Sequence, residues 1–450
     1  MSFISLPLHA LNKPQRRAVI AVWLGWGFDI FDALLLNFVA PNAIPTLLGL
    51  EIGSAAAKAA TAQWTGILTA LLLVGWAIGG VLFGHLADRI GRRRALLLTI
   101  AVYALGTGAS ACSPNLAMLI VFRLIASLGL GGEFSTGATL VAETVPESRR
   151  LIAGAFLQTA SPLGLILASL TTWLIAGVWM ADAPTLSWRF VLGAGVLPIL
   201  LVMLLRARAD APDREPTSTR PLRIALKRLF TPGLRAATFS AIAMSILALF
   251  TWWSCNAFLP TIGAGLGARA ATAAGLTGAA AVSLAESWKA SITLWFNLGG
   301  MVGALLTVPA ARRLGRRGMF ALYYAVGALS LLLAFGIAWS PTVTLHLTFL
   351  VGLSVFGVFG AFTYYLPELF PADVRGLGAG FAYNIGRLGA ALGPFAVGAY
   401  TAHQADTTTG AMHALTALVA LPVIAICVTP FIVETKNRPP LRVDTADPQP

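Results

Sequence analysis

The sequence GHLADRIGRRR at residues 84–94 returns in altered form as VPAARRLGRRG at residues 308–318. A second pair follows in the same order, because ETVPESRR at residues 143–150 is matched by ELFPADVR at residues 368–375. Both pairs are separated by nearly the same number of residues, and chance rarely places two matched loops in one register. The chain therefore contains two repeats in the same order, which predicts two similar structural halves.

The regions between these loops are strongly apolar. Of the 450 residues, 57% are hydrophobic and 11% are charged, and the mean hydropathy is +0.79. Soluble domains carry about a quarter of charged residues, and apolar runs longer than about 18 residues are typical of membrane-spanning helices. We therefore predict an all-α polytopic membrane protein with twelve spans, at roughly 18–42, 62–84, 95–112, 116–140, 151–178, 188–205, 236–260, 283–308, 319–339, 343–366, 376–400 and 411–433.

The positive charges lie mainly on one side of this arrangement. Most of the 31 Lys and Arg residues fall in segments predicted to be cytoplasmic, whereas the other side has only Lys58, Arg189 and Arg269. This asymmetry follows the positive-inside rule and predicts that both termini are cytoplasmic in an inner-membrane protein. The net charge of +13 is thus an orientation signal and does not indicate a nucleic-acid partner.

The predicted spans divide six and six around the longest cytoplasmic segment. We expect an N-terminal six-helix bundle at residues 1–205, a linker at 206–235, a C-terminal six-helix bundle at 236–433 and a cytoplasmic tail at 434–450. Within the linker, PLRIALKRLF alternates apolar and basic residues at helical spacing, which predicts a short helix on the inner membrane surface. Parallel six-helix repeats indicate two bundles that rock about a central site.

The loop at residues 84–94 resembles the signature loop of the major facilitator superfamily, and the resemblance covers essentially the whole chain. It rests on one set of positions, namely Gly84, Asp88, Arg89, Gly91 and Arg92. The resemblance implies that this loop latches the two bundles in one access state and that the protein functions as a monomer. The second copy carries Val308 and Arg312 where the motif has Gly and Asp, so the latch is expected mainly in the first half. We expect cytoplasmic gate ion pairs from the other repeated loop, through Glu143, Arg150, Glu368 and Arg375.

The first predicted span, WLGWGFDIFDALLLNFVAP at residues 23–41, carries two acidic residues. Asp29 lies about 18 Å along a helix from Arg17, near the middle of an apolar core about 30 Å thick. Asp32 follows at i+3 on nearly the same helical face. A charge in the membrane costs roughly 2.5–3.5 kcal/mol, and two carboxylates held this close tend to share a proton. We therefore predict a proton-carrying pair; the alternative is that one aspartate bonds hydroxyl groups of a neighbouring span.

The fourth predicted span adds two further candidates for proton coupling. Arg123 either pairs with Asp29 or Asp32 or extends to the membrane surface. Glu133 lies about 15 Å deeper along the helix, where it either takes part in coupling or forms a packing hydrogen bond. Gly129, Gly131 and Gly132 in the same span predict close approach of another helix.

The eleventh predicted span has a positive charge near its centre. Arg387 lies about 18 Å beyond Arg375, and the span contains no acidic residue. A guanidinium group binds both oxygens of a carboxylate, so we predict a substrate-binding role, with a structural tie to Asp29 or Asp32 as the alternative. Asn384 at i−3 shares its face and is a second candidate.

Other polar or aromatic residues at span centres are weaker candidates for contact with substrate. They are Gln158, Asn297 and Tyr383, together with Trp252, Trp253 and Tyr364. Glu286 and Lys289 stand at i and i+3 near the outer end of the eighth span, where we expect a local ion pair.

Several segments narrow the resemblance to one branch of the superfamily. Asp29-Ile-Phe-Asp32 resembles the D-G-x-D signature of aromatic-acid, sialate and carboxylate proton symporters, with Ile30 in place of Gly, and residues 365–394 resemble the same branch. The resemblance implies symport of a small organic anion with protons, driven by the proton gradient without a cofactor. Sugar porters are the alternative, since VETKNRPP at residues 433–440 is similar to their tail. A sensor that binds its ligand without transport is a further alternative.

Overall fold

The computed structural model describes residues 12–90, 92–145, 150–196, 222–371 and 374–436. All regular secondary structure in these ranges is helical. Seven helical segments are long and apolar enough to cross a membrane, and two shorter apolar helices accompany them. The described part of the chain thus has the architecture that the hydropathy pattern predicts.

In the described residues, the first half contributes seven α-helices. They are α1 (Lys13–Leu48), α2 (Ala55–Ile90), α3 (Arg92–Ala111), α4 (Leu116–Thr144), α5 (Arg150–Gln158), α6 (Ala160–Thr172) and α7 (Pro184–Ala194). A π-helical segment, Trp173–Trp179, continues α6. Helix α1 begins at a capping box in which Asn12 and Gln15 satisfy each other's backbone N–H groups. It ends at Gly49, whose φ of 67° is the left-handed conformation that favours glycine.

The second half begins with the amphipathic helix α8 (Leu222–Leu229). It continues through α9 (Arg235–Ala273), α10 (Gly278–Phe335), α11 (Pro341–Val351), α12 (Phe359–Glu368), α13 (Arg375–Ala390), α14 (Leu392–Ala402), α15 (Thr407–Ala417) and α16 (Ala420–Val428). A π-helical segment, Gly352–Phe356, follows α11 directly and precedes α12. Helix α8 lies where the linker was expected to form a surface helix, whereas residues 206–221 lie outside the described residues.

Within the described residues, every predicted span lies mainly on helical structure, but several helices extend further than hydropathy indicated. Residues 197–205 of the sixth predicted span lie outside the described residues. Helix α9 continues through Pro260 to Ala273, whereas α10 consists of two helical parts that carry the eighth and ninth predicted spans. The two spans are separated at Gly315, where φ is 75° and ψ is −179°. Only glycine adopts this conformation readily, so the chain turns there inside VPAARRLGRRG. The division into domains at residues 205, 236 and 433 stays a prediction.

Glycine residues allow the helices of the first half to pack closely. A Cβ atom at Gly129 would lie 2.6 Å from the backbone nitrogen of Tyr103 on α3. At Gly131 it would overlap the backbone of α2 at Trp76 and Gly80. The close helix approach predicted for Gly129 and Gly131 is therefore confirmed, and it brings α2, α3 and α4 into one tight group.

The two ends of the helical assembly differ in charge. We call the end that contains residues 227–235, 312–317 and 434–436 the basic face; its cations include Lys227, Arg228, Arg235, Arg312, Arg313, Arg316, Arg317 and Lys436. The end that contains residues 49–54, 112–115 and 403–406 is called the opposite face. This charge difference is the structural counterpart of the asymmetry seen in the sequence.

Candidate functional site

A small cavity lies between the two halves, near the middle of α1. Its volume is about 20 Å³, which is enough for one water molecule. The first half contributes one part of its lining, and the second half contributes the rest. The lining residues are Trp26, Ile30, Trp76, Gln158, Ser161, Trp252, Trp253, Phe356, Phe359, Tyr383 and Arg387.

Arg387 places a cation in the wall of this cavity. Its side chain is 3% exposed, and Nη1 donates to Oδ1 of Asn384 at 2.9 Å. The guanidinium carbon lies 4.5 Å from the ring centre of Trp76 and 5.1 Å from that of Tyr383. Because Trp76 belongs to the first half, this cation–π contact joins the halves at the cavity. The two residues predicted on one face of the eleventh span, Arg387 and Asn384, are thus in direct contact.

Aromatic rings form most of the remaining wall. The ring centres of Trp252 and Trp253 are 4.8 Å apart, and Trp253 meets Trp76 edge-on at 5.9 Å. Trp252 also contacts Phe356 at 5.2 Å and Phe359 at 5.6 Å. The cavity is therefore lined by flat apolar surfaces with one buried guanidinium among them.

Sequence reasoning missed four of these aromatic residues. Trp26, Trp76, Phe356 and Phe359 line the cavity, although none was singled out as a candidate. Trp26 carried a usable signal, since it stands at i−4 from Ile30 and close to Asp29 in the first span. Tyr364, in contrast, lies away from the cavity lining, and its hydroxyl donates to the carbonyl of Thr307 at 3.4 Å.

Asp32 and Arg123 meet inside the first half. Both are nearly fully buried, at 0% and 4% exposure, and Nη1 of Arg123 lies 3.9 Å from Oδ1 of Asp32. Thr107 donates to Oδ2 of Asp32 at 2.7 Å. Nη2 of Arg123 donates to the backbone oxygens of Asp32 and Ala33, at 3.2 and 3.1 Å. Of the two alternatives for Arg123, the structure shows the contact with Asp32.

Asp29 is also fully buried, at 0% exposure, but it occupies a different sector of α1. With about 100° of rotation per residue, Asp29 lies about 60° from the cavity-lining Trp26, whereas Asp32 lies about 120° away. Asp29 is therefore next to the cavity sector, and Asp32 is turned towards α3 and α4. The two carboxylates lie on adjoining sectors of one helix and have different surroundings.

The remaining substrate candidates are divided by the structure. Gln158 and Tyr383 line the cavity, while Asn297 is fully buried and its amide donates to the carbonyl of Thr293 at 2.8 Å. Asn297 is not part of the lining. The side chain of Glu133 lies outside the described residues. No group of three or more His, Cys, Asp or Glu side chains that could hold a metal ion is present among the described residues.

The predicted gate residues are described only in part. The surroundings of Gly84, all of Gly91, and the side chains of Asp88, Arg89, Arg92, Glu143 and Arg150 lie outside what the structure describes. Glu368 forms an ion pair, in which its Oε1 lies 2.7 Å from Nη2 of Arg316. Arg375 instead donates to the carbonyl of Phe370 at 3.4 Å. The partner Arg316 was missed, although it belongs to the repeated sequence VPAARRLGRRG.

The tail supplies a second contact on the basic face. Glu434 accepts hydrogen bonds from the backbone nitrogens of Arg316 and Arg317, both at 3.0 Å. Burial alone would raise the pKa of Glu434. The hydrogen bonds from the backbone N–H groups of Arg316, Arg317 and Lys436 outweigh burial, together with the nearby charge of Arg316. They lower the pKa of Glu434 below its ordinary value. The turn at Gly315 is therefore joined to the chain that follows the last span.

Comparison with known proteins agrees with this architecture. Residues 22–394 match the model of the Major Facilitator Superfamily. The chain is 28% identical to a probable 4-methylmuconolactone transporter of Cupriavidus pinatubonensis, over 87% of this chain and 85% of that protein. It is also 28% identical to a sialic acid transporter of Escherichia coli, over 85% of this chain and 87% of that protein.

A solved structure of a D-xylose-proton symporter has the same fold. The TM-score is 0.71 and the identity 19%, over 93% of this chain and 98% of that one. At this identity the likeness concerns the fold alone. The family model matches most of the chain, and its relatives include metabolite transporters. The described helical segments are also long enough to cross a membrane. This chain is a multi-pass membrane transporter of the Major Facilitator Superfamily and not an enzyme.

Proposed function

We propose that the protein is a proton-coupled symporter of a small carboxylate with a flat, largely apolar body. The observation that carries the proposal is the buried guanidinium of Arg387 in a cavity walled by aromatic rings. A carboxylate that binds there neutralises the cation and accepts paired hydrogen bonds from it. The basic face is then cytoplasmic, and the opposite face lies outside the cell.

The cavity wall favours a flat anion over a sugar. Rings of Trp252, Trp253 and Phe356 offer surfaces on which a planar body stacks. A sugar needs a hydrogen-bond partner for most of its hydroxyl groups. Apart from the indole N–H groups and the Tyr383 hydroxyl, Gln158 and Ser161 are the neutral polar side chains of the lining, and most of its surface is aromatic. Relatives named for transport of 4-methylmuconolactone and sialic acid agree with an organic acid as substrate.

Proton coupling is supported by the buried contact between Asp32 and Arg123. Protonation of Asp32 removes the negative charge that faces Arg123 and thereby changes the charge balance inside the first half. Asp29, one helical turn earlier and next to the cavity sector, is the second protonation site in this proposal. Proton uptake from outside favours binding of the anion, and release of both on the basic face completes a cycle of alternating access.

The energy source in this proposal is the proton gradient, and no cofactor takes part. One chain contains the cavity and both halves, so the transport unit is a monomer. The alternative function is sugar transport, which has in its favour the similarity of the tail sequence around Glu434 to that of sugar porters. It would make Arg387 dispensable, since a neutral substrate needs no counter-charge.

The test is uptake of labelled compounds into proteoliposomes with and without an inward proton gradient. The panel contains an aromatic acid, an aliphatic acid and xylose, and the variants are Arg387→Gln and Lys58→Gln. Loss of a charge-assisted hydrogen bond costs about 1.5–3 kcal/mol, which corresponds to roughly tenfold to hundredfold weaker binding. We expect the proton gradient to drive uptake of the aromatic acid by the wild type. Arg387→Gln should weaken binding of the acid by that factor and lower its uptake.

The control variant removes an exposed cation on the opposite face. Lys58 is exposed, so Lys58→Gln should transport as the wild type does. Uptake of xylose, or acid uptake indifferent to Arg387→Gln, would overturn the proposed substrate class. Acid uptake that is unchanged when the gradient is collapsed would overturn the proton coupling alone.

A further inference from the structure

Lys289 on α10 is an ammonium group buried at the junction between the two halves. Its exposure is 1%, and its Nζ lies 2.6 Å from Oε2 of Glu286, one turn earlier on the same helix. The same Nζ donates to the backbone carbonyl of Phe38 on α1, at 2.7 Å. The ion pair expected from the sequence is therefore present, but it also forms a bond from the second half to the first.

Glu286 touches the first half as well. A Cβ atom added at Gly177, in the π-helical segment Trp173–Trp179, would lie 2.8 Å from the Cβ of Glu286. The absence of a side chain at Gly177 is what lets the two elements approach this closely. Both members of the ion pair thus contact the first half, at two separate elements.

The ion pair lies between the cavity and the opposite face. Along α1, Phe38 is eight residues beyond the cavity-lining Ile30, which is about 12 Å. Along α10, Lys289 is seven residues, about 10 Å, from Phe296, whose ring stacks on the cavity-lining Phe356 at 6.0 Å. Both helices therefore place the bond at a similar distance from the cavity region, about 10–12 Å.

We infer that Lys289 holds the cavity closed towards the opposite face through its bond to the Phe38 carbonyl. Opening on that side separates α1 from α10 and breaks this bond. Glu286 moves with Lys289 because both stand on α10, so the ammonium group keeps its counter-charge in the open state. An ammonium without such a partner would be costly inside the membrane, and Glu286 therefore makes the bond to Phe38 reversible.

This inference rests on the proposed alternating access but not on the identity of the substrate. Its test measures how fast a water-soluble maleimide labels a single cysteine in purified protein without substrate. The three native cysteines, Cys112, Cys255 and Cys427, are replaced by serine. Asn42→Cys, one turn beyond Phe38 and 7% exposed before substitution, reports on the opposite face.

A second reporter separates gate opening from general loosening of the protein. Thr363→Cys lies where the halves meet nearer the basic face, since the Thr363 hydroxyl would be 2.7 Å from a Cβ at Gly154. The double variant Lys289→Met/Glu286→Gln removes the bond without leaving a buried charge. We expect labelling at Asn42→Cys to accelerate on the order of tenfold, which is about 1.4 kcal/mol of gate closure, while labelling at Thr363→Cys slows or stays the same.

Lys289→Arg keeps a cationic donor and should restore slow labelling at Asn42→Cys. The exchanged variant Glu286→Lys/Lys289→Glu keeps an ion pair on α10 but places no donor at the Phe38 carbonyl, so it should label fast. Unchanged labelling at Asn42→Cys in the double variant, or faster labelling at both reporters, would overturn the inference. Since no substrate is present, failure of the carboxylate proposal would leave these results unaffected.

Discussion

Asp32 and Arg123 form a buried contact in which the arginine has additional acceptors. Arg123 donates to the backbone oxygens of Asp32 and Ala33, so it keeps hydrogen bonds when the Asp32 carboxylate is protonated or replaced. Thr107 likewise keeps an acceptor if Asp32 becomes asparagine. Arg123 therefore still has hydrogen-bond acceptors when Asp32 loses its negative charge. A site that takes up and releases a proton requires this.

We predict that Asp32→Asn uncouples transport from the proton gradient. Gradient-driven uptake should fall on the order of tenfold, because asparagine cannot take up the proton. Counterflow exchange of labelled against unlabelled substrate should persist, since it needs no net proton movement. Asp182→Asn, at an exposed position, is the matched control; loss of counterflow together with uptake would assign Asp32 to binding or folding instead.

At the scale of helices, close packing depends on glycine at specific positions. We predict that Gly129→Ala lowers the melting temperature, because the new methyl group would lie 2.6 Å from the backbone nitrogen of Tyr103 and 2.7 Å from the Thr99 carbonyl. Overpacking of this kind costs about 1–3 kcal/mol. Tryptophan fluorescence of the purified protein during heating gives the measurement.

Gly193→Ala is the control for this change. Among the described residues, no atom outside the helix's own backbone lies within 4 Å of a Cβ at Gly193. Alanine within a helix restricts the unfolded chain, which stabilises by about 0.4–1 kcal/mol. A melting temperature that falls equally in both variants would show that helix contact is not the cause.

The link between the turn at Gly315 and the tail is expected to depend on pH. Because the pKa of Glu434 is lowered from its ordinary value of 4.5, its carboxylate stabilises the folded state at neutral pH. This contribution is lost as the pH falls through the folded pKa. We predict that Glu434→Gln lowers the melting temperature at pH 7 and that its difference from wild type shrinks as the pH falls below the ordinary pKa of 4.5.

The exposed Glu51 supplies the matched control for that measurement. Glu51→Gln removes the same charge from a residue in the loop after α1 and should leave the melting temperature nearly unchanged at neutral and at low pH. A difference for Glu434→Gln that persists at low pH would mean that the carboxylate charge is not the stabilising feature.

For the whole molecule, the halves touch on both sides of the cavity. Towards the opposite face, a Cβ at Gly66 of α2 would lie 3.1 Å from the Cα of Gly398 on α14. Towards the basic face, Gly154 of α5 lies against Thr363 of α12. The cavity itself has room for only one water molecule, so a substrate requires the halves to separate at one of these contacts.

We predict that Gly66→Leu and Gly154→Leu each abolish net uptake, because each prevents closure on one face and alternating access needs both. Substrate binding to the purified protein should survive in both variants, as neither residue lines the cavity. Gly376→Leu is the control, since in the part of the chain that the structure describes no atom outside its own helix backbone lies within 4 Å of a Cβ there. Near-normal uptake in either glycine variant would refute closure at that contact.

The fold was largely predictable because a membrane imposes simple constraints. Spans must be apolar and long enough to cross it, and cations accumulate on one side, so composition and charge order specify an all-helical membrane assembly. The repeated loop sequences add the two similar halves. The depth of Asp29, Asp32 and Arg387 followed from the rise of a helix. The helix ends were less predictable, because α9 and α10 extend beyond the apolar segments that hydropathy detects.

The cavity required the three-dimensional arrangement of helices. Trp26, Trp76 and the neighbouring pair Phe356 and Phe359 come from three distant parts of the chain. An aromatic side chain at a span centre has the same local sequence signal whether it faces lipid or a neighbouring helix. The partners of charged residues were equally hidden: hydropathy predicts that Lys289 is costly in the membrane, but not that it reaches the Phe38 carbonyl. Local sequence specifies which groups are buried, whereas the packing of helices from both halves determines which of them meet.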